Sequence, residues 1–506
     1  MEERAQLEKT LKPHWVWAIA FGSAVGWGCF VLPTDWISQA GPLGVIIGLG
    51  IGALLMVLIG VSYGILIQNF PVSGGEFTYA YLGFGRHHAF ICGWFLTLGY
   101  ISIVALNASA LALLAKFVLP SFGNWGTMYH VAGWGVSFTE VVIASLALLI
   151  FGYLNIRGSG VSGGTQFIFC ICLIAAVILV TAGMTFHPSS SISNLQPLFK
   201  PGVSVWSAVF AIVAVAPWAF VGFDNIPQAA EEFDFPAKKA FSLIVMSIIC
   251  AALTYAVMIY STGIAMPWKK LVAKHSLWGT GDVVQGDFGH LGLIVLCIAV
   301  IMGIFTGLIG FFVSSSRLMF AMSRAKILPD FFSKLHPKYG TPYAGIMVTT
   351  LLCLAAPWFG RGVLQWIVDM SSLGVAVAYF YTCLAAYKFF RWSNKRTERS
   401  EERNGVKIVC SPLKKLLCLL GTISSVFFIG LLVVPGSPAC LGLPSWIILV
   451  VWSLLGAAFY LFKRKELNKI PKEKLDYLIL GETLTDMTDE EEIDDDAVGF
   501  THDMSS

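Results

Sequence analysis

The backbone chemistry of greatest interest lies near the start of the chain, in the stretch Gly22–Gly28, "GSAVGWG". Glycine and serine are weak helix formers, yet apolar residues flank this stretch on both sides. A helix interrupted here leaves free N–H groups on one side of the break and free carbonyls on the other. These groups carry opposite partial charges, so the stretch could bind a small zwitterion without any charged side chain.

A second stretch with the same property lies about two hundred residues later, in "AVAPWAFVGFDNIPQAAEE". Pro217 removes a backbone donor and Gly222 loosens the next turn, so we predict that this apolar segment is also broken. Interruptions at corresponding positions of two halves indicate a transporter with inverted repeats, whose substrate binds at the breaks. A packing groove, in which small residues let helices touch, is the alternative interpretation.

A zwitterionic amino acid matches two such breaks placed side by side. We predict that its carboxylate accepts from the amides of Gly26, Trp27 and Gly28, while its ammonium donates to backbone carbonyls. Gly222 allows close backbone approach, since it has no Cβ. The carbonyls proposed for the ammonium are those around Ser23, Ala24, Trp218, Ala219 and Phe220. In the third segment, Thr97, Tyr100, Ile101 and Val104 share one helical face and suggest a neutral substrate side chain.

The elements that position these residues are twelve apolar segments, each long enough to cross about 30 Å of hydrocarbon. The chain is 56% hydrophobic and only 12% charged, so we predict an all-α integral membrane protein. The segments are approximately 14–37, 42–68, 88–119, 137–154, 161–185, 204–228, 239–267, 290–322, 343–359, 362–391, 413–434 and 443–462. Most of the 33 Lys and Arg fall at connections on the side of the N-terminus, which predicts cytoplasmic termini in the plasma membrane.

The twelve segments divide into two repeats and two peripheral helices. The predicted units are a cytoplasmic N-terminus (1–13), a first repeat (14–185), a second repeat (204–391), a basic cytoplasmic loop (392–412), peripheral helices (413–462) and a cytoplasmic tail (463–506). The tail ends in an acidic block that is typical of disorder.

Four stretches together resemble the amino acid–polyamine–organocation permease superfamily. They are "GSAVGWGCFVLP", "YGILIQNFPVSGGEFTYAYLGFG", "WAFVGFDNIPQAAEEFDFPAKKA" and "SSSRLMFAMSRAKILPDFFSKLHPKYGTP". The resemblance implies a leucine-transporter-type 5+5 inverted repeat, discontinuous helices 1 and 6, and alternating access. It also implies that the Trp27 and Gly28 amides hold the carboxylate, and that Trp218 or Phe220 closes over the substrate. Trp27 departs from the family pattern, since relatives often carry a small residue there, so its side chain either narrows the pocket or points away.

The coupling ion is left open by the sequence. A sodium ion could use the carbonyls of Gly22 and Val25 with hydroxyls of the eighth segment, although those hydroxyls could equally make interhelical hydrogen bonds. The candidate hydroxyls are Thr306, Ser314, Ser315 and Ser316. Asp224 could carry a proton or tie the break to a neighbouring helix. Some proton-coupled relatives have a lysine in the fifth helix, but the matching stretch here has no ionisable group and Leu173 lies nearby. Exchange of solutes needs no ion.

Other classes of function fit the sequence less well. The apolar segments hold no convincing catalytic constellation, so we predict a non-enzyme with no cofactor, and nothing indicates a nucleic-acid partner. A polyamine or organic-amine transporter of the same fold is the closest alternative, but such a substrate would require acidic side chains, and the predicted pocket offers only Asp224. The sequence does not indicate an oligomeric state. A receptor would need a larger signalling domain, and a channel would need a continuous polar path.

Overall fold

A computed structural model of the chain describes residues 4–131, 134–274, 276, 278–360, 362–400, 411–437 and 439–481. The first apolar segment is interrupted, as predicted. Helix α1 (Pro13–Val25) ends at Gly26, whose φ of 50° is a conformation that favours glycine. The chain then forms a single turn, α2 (Gly28–Val31), and a short helix, α3 (Pro33–Ala40).

The sixth segment is interrupted in the same way, but over a longer distance. It consists of α10 (Val205–Val213), α11 (Ala216–Ala219) and α12 (Asn225–Gln228). Between α11 and α12 the chain makes turns in which Gly222 has a φ of 136°. Proline at the second position of α11 and glycine at the turn are the local causes, as the sequence predicts.

Helices make up most of the remaining structure. Before the sixth segment they are α4 (Pro42–Asn69), α5 (Gly75–Phe84), α6 (Arg86–Val118), α7 (Pro120–Gly123), α8 (Phe138–Ile156) and α9 (Ser159–Phe186). After it they are α13 (Ala240–Ala265), α14 (Trp268–Ala273), α15 (Gly279–Arg324), α16 (Tyr343–Cys353), α17 (Gly362–Ser400), α18 (Pro412–Val433), α19 (Leu443–Leu467) and α20 (Lys472–Leu480).

Ten spans in the described part of the chain are long and apolar enough to cross a membrane. The other two predicted segments are the fragmented sixth one and the shorter helical region Tyr343–Phe359, so twelve crossings remain a prediction. Helix α1 lies at the centre and packs against α9, α13 and α15, while α6 packs against α15 and α17. Helix α19 is largely exposed, with apolar residues facing outward, in keeping with a peripheral position.

Three features differ from the sequence-based expectation. A two-stranded antiparallel hairpin, β1 (Thr127–Val131) and β2 (Trp134–Ser137), lies between α6 and α8, and its short strands carry no strong alternation. Helix α17 continues to Ser400, so part of the predicted basic loop 392–412 is helical, because its Lys, Arg and Glu residues are good helix formers. Residues 401–410 lie outside the described part of the chain.

The predicted disordered tail is ordered over its first part. Helix α20 is docked on the protein, because Leu475, Leu478 and Ile479 bury their side chains. The acidic block after residue 481 lies outside the described residues.

Candidate functional site

The two interruptions lie against each other at the centre of the protein. A Cβ added to Gly222 would lie 2.6 Å from the backbone nitrogen of Ala24 and 2.9 Å from the carbonyl carbon of Ser23. Only glycine allows the turn after α11 to approach the last turn of α1 so closely. The breaks therefore meet as the sequence predicts.

Tyr255 of α13 joins the two breaks through its hydroxyl. This oxygen lies 3.1 Å from the carbonyl oxygen of Ala24, 3.3 Å from that of Val25 and 3.1 Å from that of Ala219. The phenol is buried, so its hydroxyl requires a partner, and the carbonyls that end two helices provide one. Sequence analysis did not identify Tyr255, although a tyrosine within an apolar segment is a signal that polar partners lie nearby.

Glycines also shape the surroundings of the first break. Gly303 of α15 packs directly on the peptide between Gly26 and Trp27, where no side chain would fit. The indole of Trp218 lies across the start of α2, and a Cβ on Gly28 would be 2.6 Å from its Cη2 atom. The ring of Trp27 meets that of Trp218 edge-on, with centroids 6.1 Å apart.

A cavity of about 790 Å³ reaches these two tryptophans from the face opposite the N-terminal segment. Six tryptophans line it: Trp27, Trp36, Trp134, Trp218, Trp278 and Trp366. Polar and charged lining residues include Asp35, Gln39, Lys116, Asp369 and Ser445. The cavity is the right size for a small organic molecule, and its walls are largely apolar.

Among the twelve predicted substrate-binding residues, only Trp27 and Trp218 line this cavity. Trp27 therefore narrows the pocket rather than pointing away from it. Phe220 is fully buried against Tyr255, with ring centroids 6.0 Å apart, so Trp218 is the candidate that can cover a substrate. The remaining predicted residues of the two breaks are buried beneath the tryptophans: Ser23, Ala24, Gly26, Gly28, Ala219 and Gly222.

A role of the third-segment residues in substrate binding stays a prediction. Thr97, Tyr100 and Ile101 do not line the cavity, and the hydroxyl of Thr97 donates to the Gly93 carbonyl at 2.7 Å. The part of α6 that does line it lies later in the helix, at Leu106, Ala110, Leu113 and Leu114. Helical spacing identifies a face of a helix but not the depth at which a cavity ends.

Comparison with known proteins decides the family. Residues 15–458 match the sequence model of the amino acid permease family. The chain belongs to this family.

Three curated relatives of the permease are transporters. The methylthioribose transporter of Bacillus subtilis is 27% identical over 72% of this chain and 78% of its own length. The branched-chain amino acid permease BcaP of Bacillus subtilis is 29% identical over 64% of this chain and 69% of its own length. The aromatic amino acid transport protein AroP of Salmonella typhimurium is 24% identical over 91% of this chain and 96% of its own length. The permease is thus a multi-pass membrane transporter of the amino acid permease type and not an enzyme.

The candidate sodium ligands are only partly brought together in the permease. The hydroxyl of Thr306 donates to the Gly22 carbonyl at 2.9 Å, and the Val25 carbonyl accepts from Tyr255. Ser314 instead donates to the Asn225 side chain at 2.6 Å, and Ser315 to the Phe312 carbonyl at 3.3 Å.

Gln166 of α9 fills the space beside the first break. Its side-chain nitrogen donates to the carbonyls of Ala18 at 3.1 Å and Thr306 at 3.2 Å. A neutral amide thus satisfies carbonyls on both α1 and α15. Sequence reasoning did not identify Gln166, although an amide side chain within the apolar fifth segment is a signal that polar partners lie nearby.

Asp224 ties the second break to its neighbours. Its Oδ1 accepts from the Gly222 amide at 2.6 Å, and its Oδ2 accepts from the hydroxyl of Tyr100 at 2.9 Å. The first bond stabilises the turn between α11 and α12. Asp224 thus fills the structural role considered for it, and its charge remains available for a further one.

Buried ion pairs hold together the face that carries the N-terminal segment. Arg317 pairs with Glu232 at 2.8 Å, with both side chains at most 3% exposed, and it also donates to Ser159 at 2.7 Å. Backbone amides of Thr10 and Leu11 donate to the Glu232 carbonyl at 3.0 and 2.9 Å, which fastens the N-terminal segment across this face.

A second ion-pair cluster centres on Glu231. It pairs with Arg324 at 2.9 Å and with Arg4 at 3.5 Å, and it accepts from the Ser73 amide at 3.2 Å. Burial raises the pKa of Glu231, but the nearby Arg324 and Arg4 charges and the Ser73 amide outweigh it, so its pKa lies below the usual value. Glu231 is therefore ionised across the physiological pH range.

Proposed function

We propose that this permease moves a neutral amino acid across the plasma membrane by alternating access. The observation that carries the proposal is that two interrupted helices meet directly beneath a cavity large enough for such a molecule. The amides of Trp27 and Gly28 lie at the start of α2, so no preceding turn of that helix can accept their hydrogen bonds. These two amides would hold the carboxylate. Carbonyls of Ser23 and Trp218 would accept from the ammonium, together with those that now accept from Tyr255.

The proposal includes a topology. Twelve crossings arranged as a 5+5 inverted repeat with two peripheral helices would place both termini in the cytoplasm, in keeping with the distribution of Lys and Arg. The cavity then faces outward, and the Arg317–Glu232 and Arg324–Glu231 pairs close the cytoplasmic side. In the opposite state these pairs would separate, and Trp27 and Trp218 would cover the substrate from outside.

The walls of the cavity favour a neutral, apolar or aromatic substrate side chain. Lys116 pairs with Glu140 at 2.5 Å, and Asp369 accepts from Ser445 at 2.6 Å, so these two lining charges already have partners. The rest of the lining is dominated by tryptophan and leucine, which bind apolar groups. Two relatives are named for aromatic and for branched-chain amino acids, which agrees with this reading.

Two other classes of substrate are included in the competition experiment described below. A polyamine or another organic amine would use the acidic residues Asp35 and Asp369 of the cavity, and indole rings bind cations favourably. Methylthioribose has neither an ammonium nor a carboxylate group, but one relative is named as its transporter.

The decisive experiment is a competition panel on the reconstituted permease. A labelled neutral amino acid is challenged with leucine, phenylalanine, their decarboxylated amines, a polyamine and methylthioribose. We expect the amino acids to compete and the amines to fail, because an amine has no carboxylate for the α2 amides. Equal competition by the amines would refute the proposed carboxylate site, and competition by methylthioribose alone would refute the amino acid substrate.

The coupling ion is tested separately. Uptake is measured with sodium replaced by choline, and then with the pH gradient collapsed by an ionophore. Loss of accumulation in the first case indicates sodium coupling, and loss in the second indicates proton coupling. Because the Gly22 carbonyl already accepts from Thr306 and the Val25 carbonyl from Tyr255, we expect the pH gradient to matter more.

A further inference from the structure

Two carboxylates are buried together in the half of the permease below the cavity. Glu76 lies in the first turn of α5, Asp224 lies in the turn between α11 and α12, and both are 0% exposed. The hydroxyl of Tyr100 lies between them, 3.4 Å from Oε1 of Glu76 and 2.9 Å from Oδ2 of Asp224. The two acids are therefore separated by a single hydroxyl group.

The hydrogen-bond donors to these carboxylates among the described residues are neutral. Tyr63 donates to Oε1 of Glu76 at 2.9 Å, and the side-chain amide of Gln228 donates to Oε2 at 2.5 Å. Asp224 accepts from the Gly222 amide and from Tyr100. In the described part of the chain, neither acid forms an ion pair.

Two buried arginines of the same half of the protein have acidic partners of their own. Arg317 and Arg324 of α15 pair with Glu232 and Glu231, so neither neutralises the buried acids. The titratable groups that face Glu76 and Asp224 from the surrounding helices are Tyr63 of α4, Tyr79 of α5, Cys92 and Tyr100 of α6, and Tyr379 of α17. None of them is a cation.

Tyr379 adds an independent observation. Its side chain is fully buried and it stacks on Phe223 beside the break, and among the described residues its hydroxyl has no hydrogen-bond partner. Its ring also lies edge-on to that of Tyr63, with centroids 6.1 Å apart, and Tyr63 donates to Glu76. A buried hydroxyl without a partner beside two acids is a group that can accept or donate when a proton there changes place.

Two negative charges without a counter-ion are strongly disfavoured in such an environment, so a pair of this kind holds one proton between its members. We propose that Glu76, Tyr100 and Asp224 form the proton-binding site of the permease, which carries one proton with each substrate. Tyr100 can accept a proton from Glu76 while it gives its own to Asp224. The tyrosine stays neutral, and the net result is the transfer of one proton from Glu76 to Asp224. This inference rests on the transport function proposed above.

The geometry also links the proton to the substrate. The Asp224 carboxylate holds the Gly222 amide, and Gly222 packs on Ala24 at the first break. Protonation of Asp224 weakens its bond to that amide, because a hydrogen bond to a charged acceptor is roughly twice as strong as a neutral one. The proton therefore acts on the turn that shapes the binding site.

The first experiment measures the proton itself and does not depend on transport. Infrared difference spectra of the purified permease, taken between acid and alkaline buffers, detect the carbonyl band of a protonated carboxylic acid. We expect Glu76→Gln and Asp224→Asn each to remove or shift a band seen in the wild type, and Tyr100→Phe to displace it. Asp330→Asn, at an exposed residue paired with Lys326, should leave the spectrum unchanged.

The second experiment measures coupling in liposomes that contain a pH-sensitive dye. Substrate added outside should drive protons inward in the wild type, and the ratio of protons to substrate should fall towards zero in Glu76→Gln, because the pair then lacks one of its two carboxylates. Asp330→Asn should keep the wild-type ratio. If Glu76→Gln does not insert, Asp224→Asn provides the same comparison.

The outcomes separate this inference from the proposed function. A wild-type ratio in both Glu76→Gln and Asp224→Asn, or infrared spectra unaffected by either change, would overturn the proton site. Amino acid uptake without proton movement in the wild type would also overturn it while leaving the proposed function intact. If the wild type moves no amino acid, the proposed function fails, and the infrared spectra still decide whether these acids share a proton.

Discussion

The two faces of the permease are built from different chemistry. On the face that carries the N-terminal segment, arginines and glutamates of distant segments form buried ion pairs, such as Arg317 with Glu232. On the opposite face, six tryptophans surround an open cavity that ends at Trp27 and Trp218. The first face is sealed by charge, and the second is lined by aromatic rings.

Ion pairs and aromatic rings differ in how they allow a face of the protein to open or close. A buried ion pair holds two segments in one geometry, and when it separates, both charges can be hydrated by the water that enters. Contacts between aromatic rings do not require one fixed geometry, so Trp27 and Trp218 can close on a substrate by small rotations and exclude water as they do so. The two gates of one transporter can therefore respond to different signals.

The largest effect is expected at the floor of the aromatic face. Gly28→Val should abolish uptake, because its side chain would collide with the Trp218 indole and block the α2 amides. Labelled uptake in liposomes measures this, with size-exclusion chromatography to check folding. Gly50→Ala is the control, since nothing lies within 4 Å of the added Cβ. Normal uptake by Gly28→Val would remove α2 from the binding site.

The ion-pair face should be next in sensitivity. Glu232→Gln leaves Arg317 buried without its partner and should cost about 3–5 kcal/mol of stability. Thermal unfolding in detergent measures the loss. Asp330→Asn breaks an exposed pair with Lys326 and should cost only about 0–1 kcal/mol. Equal shifts in the two variants would mean that the face is not held by its buried charges.

A smaller loss of stability is expected from a change in the layer between the two faces, where Tyr255 joins the breaks. Tyr255→Phe removes the hydroxyl that the carbonyls of Ala24 and Ala219 accept from, at a cost of about 1–3 kcal/mol. We expect a lower unfolding temperature together with reduced uptake, because both breaks lose one shared donor. Tyr153→Phe, at an exposed tyrosine of α8, is the matched control. Unchanged uptake in Tyr255→Phe would show that the breaks hold their shape without it.

The smallest effect is a pH dependence of the charged face. The pKa of Glu231 lies below its usual value, so its contribution to stability is present above about pH 4 and is lost as the pH falls through the lower, folded-state value. The unfolding temperature should therefore drop more steeply in acid for the wild type than for Glu231→Gln. Parallel curves for the two proteins would exclude Glu231 as the cause.

The fold was predictable because its decisive residues act locally. Gly26, Pro217 and Gly222 break their helices through their own backbone preferences, and these can be read from a single sequence. The long apolar segments can likewise be recognised by their length and composition. Even so, Leu475 and Ile479 were not recognised as the buried face of α20, because a short helix within a charged tail gives a weak pattern.

The site was less predictable because it depends on pairs that are distant in sequence. Tyr255 reaches Ala24 across 231 positions, and Gln166 reaches Ala18 across 148. Arg317 and Glu232 lie 85 positions apart, and nothing in one sequence shows that they pair. Helical periodicity shows which residues of α6 share a face, but it does not show where along the helix the cavity ends. Pairing and depth require three-dimensional packing.

Arg4 connects features that are far apart in the chain. It pairs with Glu231, and it also donates to the backbone carbonyl of Leu478 in α20 at 3.3 Å. Arg4, near the beginning of the described chain, thus fastens α20, near its end, to the charged face through one side chain. If the Arg4 contacts break during transport, fluorescent labels attached near the two ends of the described chain would move apart. The distance between such labels would then report on the transport cycle.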